Sequence, residues 1–237
     1  MTQQDKIFER YSRQIFIDEI GPSGQRKIMN AKVLVIGAGG LGAPVISYLA
    51  AAGVGMLGLA DFDRVELHNL NRQTIHCEAS VGDLKVNSAA NFAHNLNSQV
   101  QIFRIAQKIC SDNIDQILKN YDIVIDGSDN FDTRYLVNDA AVKLKKTLIY
   151  GSIESFEGQI ALFNYKGSKN LRDLFPEAPL ADEVSNCDRN GVLGPLAGII
   201  GSMMALLALK VICNLPLPTN QLTLIDTFHW KFTQISF

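Results

Sequence analysis

Val33–Ala50, VLVIGAGGLGAPVISYLA, decides how the chain is folded. Four apolar residues enter a glycine-rich turn, and an apolar segment with Pro44 near its start follows. The first run has the length of a buried strand, and a proline suits the first helical turn, where its missing N–H costs no hydrogen bond. Gly37, Gly39 and Gly42 stand at the junction in a G-x-G-x-x-G spacing, with Gly40 in the same turn. The N–H groups and dipole of a helix N-terminus favour phosphate, and glycine lets a ligand approach the main chain. Asp61 ends the next apolar strand, nineteen residues after Gly42, about where a carboxylate takes ribose hydroxyls. An adenine nucleotide is implied. The glycines alone leave open whether it is a dinucleotide for hydride transfer or ATP.

Outward from that stretch the elements alternate. Lys6–Met29 is polar and aromatic and predicts two short helices wrapping the domain. MLGLAD is a second strand, KVNSAANFAHNLN has helical spacing, VQIFRIAQKI alternates as a strand does, and YDIVIDGSDN is a buried strand running into a polar loop. TLIYGSIESFEGQIALF predicts two strands about a glycine, and QLTLIDTFHWKFTQISF a final hairpin. Strand–helix alternation with an antiparallel tail implies an α/β fold: a doubly wound, mostly parallel Rossmann-like sheet with an antiparallel C-terminal extension. Residues 1–237 are expected to form one domain, with 1–30 as a helical arm and 166–190 as a polar crossover loop that moves and closes over a bound partner.

Composition excludes several classes. Of the 237 residues 47% are hydrophobic and 19% charged, which suits a globular protein. A formal net charge of −2 offers no general attraction to nucleic acid or an anionic membrane, so neither is expected as a partner. The first residues lack the apolar core of a signal peptide. Val192–Lys210 approaches a membrane span in length, yet Gly194, Pro195, Gly198, Gly201 and Ser202 suit close packing, and a core or subunit-interface helix is the expectation. Cys77, Cys110, Cys187 and Cys213 have no disulfide or metal spacing, which points to the cytoplasm. His68, His76, His94 and His229 are dispersed and are assigned no chemistry.

Charged residues downstream break the tie. DFDRVELHNLNRQ supplies Asn69 and Arg72, VGDLKV supplies Lys85, RYSRQI holds Arg13, and Asp129 follows a strand in DGSDN. Hydride transfer needs an apolar slot for the nicotinamide and a proton donor, and neither is visible. Cations with one carboxylate suit ATP with Mg2+ instead: the cations neutralise phosphate charge and the carboxylate holds the metal. Each residue alone has a plainer role, as a solvated surface charge or, for Asp129-Asn130, as a helix cap.

With RYSRQI, GAGGLG, LADFD, NLNRQ, VGDLKV, DGSDN, EGQIALF and GVLGPLAGIIGSMMALLALK in this order, the chain resembles the ThiF/MoeB/HesA family, bacterial relatives of ubiquitin-activating enzymes. The resemblance implies a homodimer that binds ATP and Mg2+ and adenylates the C-terminal glycine carboxylate of a ubiquitin-like sulfur carrier of the ThiS/MoaD type, for thiamine or molybdopterin biosynthesis. It implies that Arg13 reaches the nucleotide of the neighbouring subunit, that Asp61, Asn69, Arg72 and Lys85 contact ribose and phosphates, and that Asp129 serves magnesium. Asp63, in the same LADFD segment, joins the nucleotide-binding set. Cys187 matches a family cysteine implicated in sulfur transfer or covalent linkage to the carrier; an unreactive loop thiol is the other reading. Many members hold a structural zinc with two C-x-x-C pairs. Here Asn170 and Asp173 stand at the first, and TQISF carries no second, so no zinc is expected. Alternatives are adenylation of a tRNA-linked or small-molecule carboxylate, as in the threonylcarbamoyladenosine dehydratase, and a non-catalytic carrier-binding scaffold.

Overall fold

A computed structural model describes residues 2–179 and 191–237. One eight-stranded sheet forms its centre. The chain runs α1 (Gln3–Ile15), α2 (Gly21–Asn30), β1 (Lys32–Ile36), α3 (Gly42–Ala52), β2 (Met56–Ala60), α4 (Lys85–Leu96), β3 (Gln101–Ile105), α5 (Ile114–Leu118), β4 (Ile123–Asp126) and α6 (Phe131–Lys143). Then come β5 (Thr147–Glu154), β6 (Glu157–Phe163), α7 (Leu171–Leu174), α8 (Gly194–Cys213), β7 (Gln221–Asp226) and β8 (Lys231–Ser236). Strand order is β3-β2-β1-β4-β5-β6-β7-β8. The first five pair in parallel, and β6, β7 and β8 add antiparallel, as the alternation and its hairpin tail predict.

The chain leaves β1 in one direction to build β2 and β3, then returns to place β4 on the other side. The crevice between the carboxyl ends of β1 and β4 is thus the topological switch point, where open α/β sheets bind ligands. Strand periodicity divides the core. Val33 and Val35 of β1 face one apolar layer with α3, α4 and α8, while Leu34 and Ile36 face the other with α5 and α6. All four are buried, which is why β1 is continuously apolar.

Among the described helices only α8 is long and apolar enough to cross a membrane. It lies over β5 and β6, and its apolar side chains meet two strand glycines. A Cβ at Gly151 would fall 2.3 Å from Met204 Sδ, and one at Gly158 would fall 2.4 Å from Ile200 Cδ1. These glycines are packing positions inside strands. The β5–β6 turn sits elsewhere, at Ser155, which takes φ 51° without being glycine.

The expected free loop at 166–190 is only partly that. Asn170 and Asp173 cap α7 reciprocally: the Asn170 N–H donates to Asp173 Oδ2 at 2.8 Å, and Asn170 Oδ1 accepts from the Arg172 N–H at 2.9 Å. Arg172 then grips α6, donating from Nε and Nη2 to the two carboxylate oxygens of Asp139 at 2.7 and 2.8 Å. The Tyr135 hydroxyl donates to the Glu177 carbonyl at 2.6 Å, with the Phe175 carbonyl oxygen also 3.0 Å away. Residues 171–177 are therefore docked on α6, and residues 180–190 lie outside the described part.

Two outcomes follow for stability. In the glycine turn a Cβ at Gly42 would stand 1.9 Å from the Gly37 carbonyl oxygen, whereas one at Gly39 would meet nothing closer than Gln73 Nε2 at 3.6 Å. Gly42→Ala should cost roughly 1–3 kcal/mol or more in denaturant unfolding, through overpacking against backbone, and Gly39→Ala close to nothing. The Arg172 hydrogen bonds hold the Asp139 carboxyl below its ordinary value. Because the folded value is depressed, the stabilisation is present above about pH 4 and is lost as pH falls through the folded value. Arg172→Gln should therefore lower the urea midpoint near neutrality, and the difference from wild type should shrink towards zero in acid.

Candidate functional site

The switch point opens into a cleft of about 690 Å3. Gly37, Gly39 and Gly40 form its floor, and Leu41 is the residue before α3. No side chain caps α3; the Ala43 N–H donates to the Gly39 carbonyl at 2.9 Å and Pro44 has no N–H, so the groups that can meet a ligand are the N–H groups of Gly39 and Gly40 on the floor before the helix. The β1 and β4 turns touch here: a Cβ at Gly37 would stand 2.8 Å from the Gly127 carbonyl oxygen.

Asp61 follows β2 and is tied into the glycine turn. Its Oδ2 accepts from the Ala38 N–H at 2.8 Å, and its Oδ1 from the Asp63 N–H at 2.8 Å. Burial pushes its carboxyl above the ordinary value, and Lys85 and those two N–H groups pull against the rise. Lys85 opens α4, is only 7% exposed, and donates from Nζ to Asp63 Oδ2 at 3.0 Å. A lysine in the first turn of a helix opposes the helix dipole, so helix stability gives no reason for it. An anion in the cleft does.

Arg72 hangs over Gly40, held by Nη1 donation to the His68 carbonyl at 3.0 Å and to Asn71 Oδ1 at 3.2 Å. Asp129 lines the opposite wall, beside Asn130. Asn130 is the N-cap of α6, accepting from the Thr133 N–H at 2.9 Å, so the capping reading holds for Asn130 and leaves Asp129 on the cleft.

Not every residue expected at the ligand surface lies on it. Asn69 is 5% exposed and off the cleft, with Oδ1 accepting from the Glu66 N–H at 3.0 Å and Nδ2 beside His68 Nε2. It shapes the turn that presents Arg72. Gly42 is behind the floor, where α3 packs on Gly37. Arg13 is exposed in the last turn of α1 and does not line the cleft of its own chain. Cys187 lies outside the described residues.

Three further residues belong to the cleft. Among the described residues, four buried side-chain polar atoms lack a hydrogen-bond partner, and Gln73 Oε1, Ser128 Oγ and Arg134 Nη1, three of the four, belong to cleft residues. Buried polar atoms are otherwise almost always paired, so these three are waiting for a ligand. Arg134 is 6% exposed, donates from Nη2 to the Ser128 carbonyl at 2.8 Å and stacks on Tyr150 with its carbon 5.0 Å from the ring centroid. Asp126 is buried behind it. Burial pushes that carboxyl up, and the Arg134 charge and the Ser128 main-chain N–H, which donates to Asp126 Oδ1 at 2.9 Å, oppose it. Gln73 and Ser128 had a sequence signal, as neighbours of Arg72 in NLNRQ and of Asp129 in DGSDN; Arg134 looks in sequence like an ordinary helix charge.

This arrangement can take a polyphosphate. Floor N–H groups, Arg72, Lys85 and Arg134 supply donors and positive charge, and Asp129 supplies one carboxylate for a cation. The orphaned atoms fit such a ligand as well, since they offer both donor and acceptor.

Comparison with known proteins gives the same direction. The ThiF family model matches residues 11–237. The Adenylyltransferase and sulfurtransferase MOCS3 of Aedes aegypti is 48% identical over 227 residues, covering 95% of this chain and 52% of that protein. The Sulfur carrier protein adenylyltransferase of Thermus thermophilus is 42% identical over 234 residues, covering 96% of this chain and 86% of that protein. The chain thus spans about half the length of the MOCS3 relatives it matches. Among solved structures, E. coli MccB with MccA-N7isoASN superposes with a TM-score of 0.85 at 23% identity, over 97% of this chain and 71% of that one, and shares the fold. With its family match nearly chain-long, and a 42% identical relative aligned over most of its own length, this chain belongs to the ThiF family.

Proposed function

We propose that the chain is an adenylyltransferase: it uses ATP and Mg2+ to adenylate the C-terminal carboxylate of a ubiquitin-like sulfur carrier, and works as a homodimer of single-domain subunits. The observation that carries this is the convergence of Arg72, Lys85 and Arg134 with the Asp129 carboxylate around the bare glycine turn that precedes α3. The relatives' names support the sulfur carrier over a tRNA-linked carboxylate or a scaffold.

The chemistry needs little from the protein beyond charge and position. A terminal carboxylate has an ordinary pKa of about 3.5, so near neutrality it is already an ionised nucleophile. What opposes attack is its repulsion by the triphosphate. Arg72 and Lys85 offset that repulsion, and the Gly39 and Gly40 N–H groups receive charge on the α-phosphate. The carboxylate oxygen bonds to the α-phosphorus, the bond to the bridging oxygen breaks, and pyrophosphate leaves with the electron pair. Bound magnesium, held through Asp129, would supply further positive charge to the phosphates. Asp61 takes the ribose hydroxyls while its carboxylate keeps the turn closed. Asn69 acts beneath the surface, through the segment that carries Arg72. Arg13 is assigned to the partner's cleft, since it does not reach its own. Ser152, Ile153 and Glu154 border the cleft with Gly191 and Val192, and this is where the carrier's tail enters. Cys187 lies four residues before Gly191 in sequence, and its chemistry is a separate question from adenylation.

ATP–pyrophosphate exchange, measured with ubiquitin-like carriers ending in Gly-Gly, tests the reading. Exchange should require one carrier and stop when its terminal glycine is removed; exchange with no carrier, or with none of them, would sink it. Arg72→Ala and Lys85→Ala should each lower the exchange rate by about a hundredfold or more, the scale of removing one transition-state charge donor. Their melting temperatures should stay close to wild type, because both side chains serve the cleft and not the core.

A further inference from the structure

His76 stands behind the glycine turn, out of the cleft and only 7% exposed. One ring nitrogen, Nε2, lies 3.0 Å from the Ala38 carbonyl oxygen, and the other, Nδ1, lies 2.9 Å from Ser88 Oγ. A carbonyl can only accept, so Nε2 carries the proton, and in the neutral ring Nδ1 accepts from the Ser88 hydroxyl. Burial pushes the imidazole below its ordinary pKa, and Lys85 adds to the fall while the Ala38 contact and Asp61 oppose it. The ring is thus neutral near pH 7, with one tautomer fixed from both sides.

The consequence reaches the cleft through one peptide group. In a trans peptide the C=O of Ala38 and the N–H of Gly39 point in opposite directions. A carbonyl drawn back towards His76 therefore turns the Gly39 N–H forward, over the floor that Gly39 lines. Asp61 holds the other side of the same residue through the Ala38 N–H. Both main-chain groups of Ala38 are thus gripped by side chains, outside any strand or helix ladder. His76 also joins the parts that carry the cations: its main-chain N–H donates to the Gln73 carbonyl at 3.0 Å, one residue after Arg72, and its ring meets Ser88 on α4, which Lys85 opens.

We propose that His76 is a positioning residue for phosphate binding: as the Nε2–H tautomer it holds the Ala38 carbonyl from behind and so aims the Gly39 N–H at the nucleotide's phosphates. It rests on the nucleotide-binding reading above. It concerns this chain's own imidazole, which touches neither ligand nor metal.

Three variants and one spectrum test it on the full chain. In His76→Phe the ring's bulk remains and the donor is gone; in His76→Gln an amide N–H can take the place of Nε2; Ser88→Ala removes the fixing hydroxyl. In wild type, nitrogen-detected NMR should show the Nε2–H tautomer without ligand, and His76→Phe should move the Gly39 amide resonance. Titration with ATP and with adenosine separates positioning from scaffolding. ATP should bind about tenfold more weakly to His76→Phe, one hydrogen bond's worth, while adenosine, which has no phosphate, stays within about twofold. His76→Gln should recover most of the loss, and Ser88→Ala should show a smaller one. An Nδ1–H tautomer, equal weakening of ATP and adenosine, or failure of the glutamine to restore what phenylalanine loses would overturn the proposal. The tautomer is read on wild type, so the test survives a variant that does not fold. If wild type binds ATP yet exchanges no pyrophosphate with any carrier, the adenylation reading fails and this one stands on its binding data.

Discussion

Everything at the switch point hangs on how closely α3 approaches the Gly37 carbonyl. That contact leaves no room for a Cβ at Gly42. It brings the start of the helix down onto the end of β1, and so places the glycine turn before it, Gly39 and Gly40, at the crevice between β1 and β4. A longer standoff would leave the same glycine turn loose over the sheet. The motif's glycines therefore divide the work: Gly42 and Gly37 hold backbones together, and Gly39 and Gly40 leave the floor bare for a ligand.

A floor of N–H groups attracts anions weakly, and the charges around it set what is bound. Net charge over the whole chain is −2, yet the cleft gathers Arg72, Lys85 and Arg134. Holding them there costs stability. Lys85 opposes the dipole of its own helix and Arg134 keeps a buried Nη1 without a partner. Asp63 and Asp126 moderate that cost, one in contact with Lys85 and one buried near Arg134, but each leaves donors directed elsewhere. Cations buried against the local interest of the fold are what a polyphosphate ligand would stabilise, and local cost of this kind is expected where structure serves chemistry.

The sheet was legible because β1, β2 and β4 are apolar almost throughout, the outer strands alternate, and glycine, proline or asparagine marks the ends of α2, α3, α6 and α8. Gly53 closes α3 in the left-handed conformation and Pro44 sits in its first turn, both as their positions in sequence imply. Much of the cleft was legible for a different reason: Asp61, Arg72, Lys85 and Asp129 each follow a strand end or open an element, so sequence order places them at one sheet edge. Arg134 gives no such signal, because its burial depends on Tyr150 from β5, sixteen positions away. His76 was set aside as one of four dispersed histidines; its meaning comes from Ala38 and Ser88, which sequence separation hides. Asn69 shows the opposite: expected at the ligand, it is 5% exposed. It lies in the right segment, but its amide is spent on the turn. What sequence shows is which element a residue is on, and what it does not show is which way that element turns the side chain.

The apolar run at 192–210 belongs to the same lesson. Its hydropathy matches a membrane span because α8 is covered on several sides by protein, with Met204 and Ile200 against β5 and β6, and Gly201 so close to α3 that a Cβ would stand 2.3 Å from Pro44. At its N-terminal end Gly194 abuts the Asn71 carbonyl, at 2.3 Å for an added Cβ, and Ala197 reaches the wall beside Gly40. One helix therefore packs at once on the antiparallel strands, on the helix that opens the cleft, and on the segment that presents Arg72. An apolar spine of this kind fixes the distance between the glycine floor and the strands at the cleft's open end, which in the proposed adenylation is the distance an extended carboxylate tail would cross to reach an α-phosphate. The hydrophobic packing of α8 thus enters the chemistry as geometry, since reacting groups held a fraction of an ångström too far apart lose most of the advantage of being held at all.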